Sequence, residues 1–191
     1  MYDLILKNVS RHISLTQEEA DYFTSILKTR TLRKKQYLLQ AGDVSRHECF
    51  VNNGCLRTYY VDDKGQERIV QFAFEEWWTG DMYSFLSGQP SIYHIDALED
   101  CELLLIEKPQ WEKLFIEIPK FERFFRLLLQ NAYVSMQRRI GDNLSLSAED
   151  RYINFIKQYP QFEQRLSLKQ IASYLGITPE SLSRIRARRV K

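Results

Sequence analysis

The densest potential for chemistry lies at the end of the chain, where Arg184, Arg186, Arg188, Arg189 and Lys191 fall within the last eight of 191 positions. Guanidinium groups present a planar fork of donors that suits phosphate oxygens and the major-groove edge of guanine. On charge alone, a solvated basic tail reads the same way. The residues just before them narrow the choice. Ser167 with Gln170 three positions on is a helix-start signature, Ile171, Ala172 and Leu175 give that helix an apolar face, and Gly176 stops it. Thr178-Pro179 opens a second helix with Leu182 and Ile185 turned inward. Two short helices around a glycine turn make a helix-turn-helix. The second helix leaves Glu180, Ser181, Ser183, Arg184, Arg186 and Arg188 outward, where arginine matches guanine and glutamate matches cytosine. Such helix pairs also occur in protein-binding domains, but the arginine-rich outer face favours double-stranded DNA.

The rest of the chain offers less. His47 and His94 stand in no recurring catalytic spacing with a serine, cysteine or carboxylate, and neither a glycine-rich phosphate loop nor an HExxH motif occurs, so no enzyme is indicated. Cys49, Cys55 and Cys101 are odd in number and lack CxxC spacing, which reads as reduced core thiols, with no metal, haem or iron–sulfur cluster indicated and any cofactor unspecified. The net charge of +2 hides an asymmetry. Residues 1–143 carry 18 Lys+Arg against 21 Asp+Glu, a balance of −3, and residues 144–191 carry 9 against 4, a balance of +5.

These groups need a scaffold, and a chain that is 44% hydrophobic and 27% charged can build one. No basic start followed by an apolar stretch occurs, nor any run of about 18 apolar residues, so the expectation is a cytoplasmic chain with no membrane partner. From about Lys35 to Glu107, short β-rich runs at 49–51, 55–61, 67–74, 91–98 and 101–106 alternate with turns at Gly42, Gly54, Gly65, Gly80 and Gly88. That spacing predicts an antiparallel sandwich or barrel within an α+β chain. After Pro119 the pattern is helical to Asn143, a helix of roughly 35 Å. Phe121, Phe125, Leu128 and Ala132 form one stripe on it, read as a face for a second copy of the chain; burial twice within one subunit is the alternative.

Taken together, the chain resembles the Crp/Fnr family of bacterial transcription regulators over nearly its whole length. The run Gln170-Ile-Ala-Ser-Tyr-Leu-Gly-Ile-Thr-Pro-Glu-Ser-Leu-Ser-Arg-Ile185 is similar to the family's recognition-helix pattern, supported by Ala41-Gly-Asp43, Gly54-Cys-Leu-Arg57, Ala97-Leu-Glu-Asp-Cys-Glu-Leu103 and Arg151-Tyr-Ile153. The resemblance implies an antiparallel double-stranded β-roll, jelly-roll-like, with flanking helices over residues 1–118. It also implies a long dimerisation helix over 119–143 and a small helical DNA-binding domain over 144–191 with a reduced wing. Its implied partners are a pseudo-palindromic DNA operator, a second copy of the chain, RNA polymerase and a small-molecule effector. Glu180 and Arg184 would read bases, with Thr178 and Ser181 on phosphate, and Arg186, Arg188, Arg189 and Lys191 compensating for the wing. The effector pocket would fall on Gly80, Asp81, Met82, Tyr83, Ser84, Ser91 and Ile92. The family's cyclic-nucleotide binders carry Gly-Glu and then an Arg-Ser/Thr pair; here Gly80-Asp81 is one methylene short and Ser91-Ile92 lacks the arginine, which argues against high-affinity cyclic AMP binding. Arg57, Arg68 and His94 are the available substitute charges, and Trp77 and Trp78 read as core. The alternative is a sensor module of the same class whose helical end binds a protein.

Overall fold

The computed structural model describes residues 1–160 and 162–189, the side chain of Arg189 excepted, so Arg189 and Lys191 as side chains at the basic end lie outside the described residues. Two compact units divide the chain. One comprises Met1–Tyr60 and Gln71–Gln130, the other Val61–Val70 and Asn131–Lys191. The division runs inside the long helix instead of at its two ends, and a segment of the β region groups with the C-terminal residues.

The first unit opens with α1 (Asp3–Ser10) and α2 (Gln17–Ser25). Thr16 caps α2 reciprocally: its hydroxyl accepts the Glu19 N–H and its own N–H donates to the Glu19 carboxylate. The strands follow as β1 (Lys28–Leu32), β2 (Tyr37–Leu39), β3 (His47–Asn53), β4 (Leu56–Val61), β5 (Glu67–Ala73), β6 (Trp78–Thr79), β7 (His94–Ala97) and β8 (Cys101–Glu107), with the short helix α3 (Met82–Ser87) between β6 and β7. They form two four-stranded sheets, β1-β8-β3-β6 and β2-β7-β4-β5. β1 precedes the region read as strands from the sequence.

Strand alternation explains how one sheet serves two cores. On β3 and β8, Cys49, Val51, Cys101, Leu103 and Leu105 join Leu39, Leu56, Ile95 and Ala97 of the opposite sheet in a cluster between the sheets. The intervening Phe50, Leu104 and Ile106 face a second cluster with Ile5, Val9, Phe23 and Leu114 from the helices. α4 (Lys108–Glu117) and α5 (Lys120–Ser145) complete the helical layer.

Gly54 stands between β3 and β4, against the start of β8. Its φ is +99°, and a Cβ there would lie 2.6 Å from the Asp100 carbonyl oxygen and 2.7 Å from Cys101 Sγ. Both neighbours belong to a fixed strand end, so Gly54→Ala combines left-handed strain with overpacking and should destabilise this unit by about 3 kcal/mol. Trp77, Trp78 and Trp111 all lie in this unit, so urea unfolding followed by tryptophan fluorescence reports it alone. A loss below about 1 kcal/mol would contradict the packing argument.

The long helix corrects one expectation. Phe121 and Phe125 are buried in the helix-side core of their own unit, with Phe121 4.6 Å from Phe23 and Phe125 5.3 Å from Trp78 between ring centroids. Leu128 packs against the same cluster, and only Ala132 of that stripe is exposed. The amphipathic stripe is therefore occupied by the chain's own sheet and helices and is not free for a second copy. A different row on α5 is exposed: Leu129, Tyr133, Met136 and Ile140.

In the second unit, α6 (Ala148–Gln158), α7 (Phe162–Arg165), α8 (Leu168–Leu175) and α9 (Pro179–Arg189) surround a small core of Tyr152, Phe155, Phe162, Leu166, Ile171, Ala172, Leu175, Leu182 and Ile185. Ser147 and Ser167 cap α6 and α8. Gly176 ends α8 at φ +67°, the left-handed conformation that lets the chain turn into α9.

Candidate nucleic-acid interface and sensor pocket

α8 and α9 present the outward face expected of a reader because the inward one is fully used. Leu182 is completely buried and Ile185 nearly so, against Ile171, Ala172 and Leu175 of α8. The opposite side of α9 places Glu180, Arg184 and Arg188 four residues apart, so they share one exposed face, with Ser183 beside them. Thr178 is exposed before α9, and its hydroxyl accepts the Ser181 N–H at 3.2 Å. The Glu180 carboxyl is held below its ordinary range by its own backbone N–H, then by the Thr178 hydroxyl, with the Arg184 cation adding to this. Arg184 Nη2 donates to Ser181 Oγ at 3.2 Å, which orders a guanidinium that otherwise stands in solvent. Arg186 lies elsewhere: it pairs with Glu163 of α7 at 3.2 Å and braces the helix against its own unit. Half-buried Ser181 is engaged by Arg184. The exposed polar face of α9 thus comprises Glu180, Ser183, Arg184 and Arg188, with Thr178 just ahead of it.

A residue that the sequence did not single out ties α8 down. The Ser173 hydroxyl accepts the Ile69 N–H at 3.1 Å and donates to the Glu67 carbonyl at 2.8 Å, within the same unit. Its signal in the sequence is weak, because serine on a helix is ordinary until its partner segment is known.

Of the residues expected to line an effector pocket, Gly80 borders a cavity, while the others are held in local contacts or face outward. Asp81 is buried as the cap of α3, accepting the Ser84 N–H at 3.2 Å. Ser84 is wholly buried; its hydroxyl accepts from the Ser45 N–H and donates to the Gln89 carbonyl. Ser91 closes a local turn on Tyr93. Tyr83 and Ile92 face outward, at 68% and 67% exposure, and Met82 and Gly80 are half-buried. The substitute cations are engaged as well. Arg57 grips Asp96 through two hydrogen bonds of 2.7 and 3.0 Å and lies over the Tyr59 ring. Arg68 pairs with Asp62 at 2.7 Å, and His94 accepts the Ala41 N–H while stacking on Tyr59. Trp77 packs on the cluster between the sheets and Trp78 on the helix-side cluster, the core role read from the sequence.

A cavity of about 310 Å³ does open in this unit, lined by Leu39 and Ile95 and by Arg30, Arg46, His47 and Gly80. Burial pushes the His47 imidazole below its ordinary range, pushes the Cys101 thiol up to about 11, and raises the Cys49 thiol as well. Among the described residues no group of three or more His, Cys, Asp or Glu is placed to hold a metal ion, and no helix is long and apolar enough to cross a membrane.

Comparison with known proteins agrees with this geometry. Residues 29–117 match the cyclic nucleotide-binding domain family. The transcriptional activator protein Anr of Pseudomonas aeruginosa is 28% identical over 190 residues, covering 91% of this chain and 75% of its own. Among solved structures, FixK2 from Bradyrhizobium japonicum superposes with a TM-score of 0.74 at 18% identity, over 85% of this chain and 84% of that one. A putative regulator of the Crp/Fnr family from Eubacterium rectale gives 0.69 at 20% identity, over 92% and 84%. With residues matching the cyclic nucleotide-binding domain family ahead of a helix-turn-helix, the chain is similar along nearly all its length to transcription regulators such as Anr and shares the fold of the Crp/Fnr-type structures.

Proposed function

We propose that this protein is a transcription regulator acting as a homodimer, each copy presenting α9 to one half of a pseudo-palindromic DNA site, under an effector other than cyclic AMP. The observation that carries the reading is the exposed row of Glu180, Arg184 and Arg188 on a helix whose other side is buried. Leu129, Tyr133, Met136 and Ile140 support the dimer. They are spaced four, three and four, the alternation of a two-helix seam, and stand 44–56% exposed. Two recognition helices joined through such a seam would engage successive major grooves about 34 Å apart. The engaged state of Arg57, Arg68 and His94 supports the argument against cyclic AMP, because a cyclic phosphate would meet no uncommitted cation among them.

One experiment tests the whole reading. Duplexes selected from a random pool are titrated by fluorescence anisotropy, with sedimentation giving the stoichiometry. Two chains should bind each duplex, and with on the order of six phosphates neutralised the affinity should fall roughly a thousandfold between 50 and 200 mM salt. Millimolar cyclic AMP should leave the curves in place. A flat salt response, one chain per duplex, or tightening by cyclic AMP would each overturn the corresponding part, and failure to retain any duplex would favour a protein partner for the helical end.

A further inference from the structure

The second unit contains a cavity of about 250 Å³ that no part of the DNA-reading face uses. It lies among the end of α5, α6 and α8, all within one unit. Its α5 residues are Asn131, Val134, Ser135, Arg138, Arg139, Asp142 and Asn143, and all but Asn143 project away from the Leu129, Tyr133, Met136 and Ile140 row at 100° per residue. A dimer through that row would leave the cavity open.

Three features of the wall define what would fit. The first is aromatic: Phe155 lies 5.7 Å from Tyr174 and 5.8 Å from Tyr159 between ring centroids, so three rings meet at the cavity. The second is charge. Arg138, Arg139 and Arg151 face a single acid, Asp142, so an anion is favoured. The third is an unsatisfied donor. Arg151 gives Nη1 to the Asn143 carbonyl at 3.0 Å, yet its Nε is buried with no hydrogen-bond partner among the described residues. Nε and Nη2 together form the side of a guanidinium that meets a planar carboxylate through two parallel bonds. Arg139 is already engaged, lying 4.9 Å from the Tyr174 ring centroid and donating to the Val70 carbonyl, and it serves to fix that ring. Arg138 stands exposed at the rim without an ion pair among the described residues and can approach the same anion.

From these we propose that the cavity binds a small aromatic carboxylate, with Arg151 and Arg138 on the carboxylate and Tyr159, Tyr174 and Phe155 against the ring. Its volume lies just below the usual range for drug-sized ligands, so it takes one or two fused rings. The occupant touches α8 through Tyr174 and Leu175, next to the turn that orients α9, which makes it a second control point separate from the sensor unit.

The test is calorimetric titration of the full chain with benzoate and with indole-3-acetate, beside benzyl alcohol as a neutral counterpart and inorganic phosphate as a ring-free anion. At least one aromatic carboxylate should bind, and neither benzyl alcohol nor phosphate should match it. Arg151→Gln should weaken binding at least tenfold. Arg138→Gln, at an exposed position that leaves the fold intact, should weaken it severalfold, with thermal melting confirming that both variants are folded. No binding by either carboxylate, equal binding by phosphate, or unchanged affinity in folded Arg151→Gln would overturn the proposal. None of these outcomes depends on DNA binding, so it stands or falls apart from the reading of α9.

Discussion

Glu48→Gln should abolish a loss of stability that the first unit of the unmodified chain suffers between pH 5 and pH 8. Glu48 is on β3 beside Phe50 in the alternation, on the side of the sheet that faces the helices, and it is 4% exposed. Its carboxylate lies against Gly80, where an added Cβ would be 3.0 Å from Oε1, and that oxygen has no hydrogen-bond partner among the described residues. Burial, with the Asp81 carboxyl beside it, pushes its pKa up to about 8 from an ordinary 4.5. The folded protein therefore retains a proton that the unfolded chain releases. The contribution is fully present below pH 4.5 and is lost as pH rises to about 8. At about 1.4 kcal/mol per pH unit the loss approaches 5 kcal/mol as a ceiling.

His47, lowered chiefly by burial, acts in the opposite sense, adding stability as pH rises towards its ordinary 6.5. Glu19 and Glu107, both lowered chiefly by lysine hydrogen bonds, lose their contribution only as pH falls below 4.5. These groups persist in the variant, so the difference between the two proteins isolates Glu48. Urea unfolding monitored by tryptophan fluorescence at pH 5, 6.5 and 8 should show Glu48→Gln gaining on the parent as pH rises. Parallel profiles would sink the assignment.

Glu48 also marks the limit of what could be read before the fold was known. The helix pair α8 and α9 was legible because everything that defines it is local: a capping serine, an apolar face at helical spacing, a glycine at the turn and a proline at the next start. The β region was legible from its turns and its alternating runs, although β1 lay outside them. What local pattern could not supply was the partner of each face. The stripe of Phe121, Phe125 and Leu128 announces that something covers it, but not whether that is a second chain or the residue's own β-sheet, and here it is the latter. Gly80-Asp81 has the same ambiguity in miniature. A buried carboxylate can hold a ligand or cap a helix, and only the Ser84 N–H at 3.2 Å decides for the cap. Arg186 and Arg184 are two positions apart in a basic run, yet Glu163 claims one and leaves the other in solvent. Glu48 was detectable in principle, as a charged residue on the side of β3 that otherwise carries Phe50. The missing piece was that both sides of that strand are buried.

On the proposed reading of α9, Arg184→Ala should cost the dimer the ability to tell its operator from other DNA. A bidentate arginine–guanine pair contributes about 1–3 kcal/mol of discrimination at each half-site, so two copies would lose about 2–6 kcal/mol, from some thirtyfold to more than a thousandfold. The fold should tolerate the change, because the Arg184 side chain is exposed and its hydrogen bond is to Ser181 within the same helix. Interactions of that kind contribute a few tenths of a kcal/mol. Lysine should not restore recognition, since it keeps the charge but not the planar fork. The informative measurement is therefore the ratio of affinities for a selected and a scrambled duplex at one salt concentration. Arg184→Ala should collapse that ratio towards one, mainly by weakening the selected duplex. Arg188→Ala, one turn along the same face, should weaken both duplexes alike and reduce the salt dependence, as loss of a phosphate contact does. If Arg184→Ala also weakens both alike, its guanidinium contacts phosphate, and base reading must fall to Glu180 and Ser183 on the same exposed face.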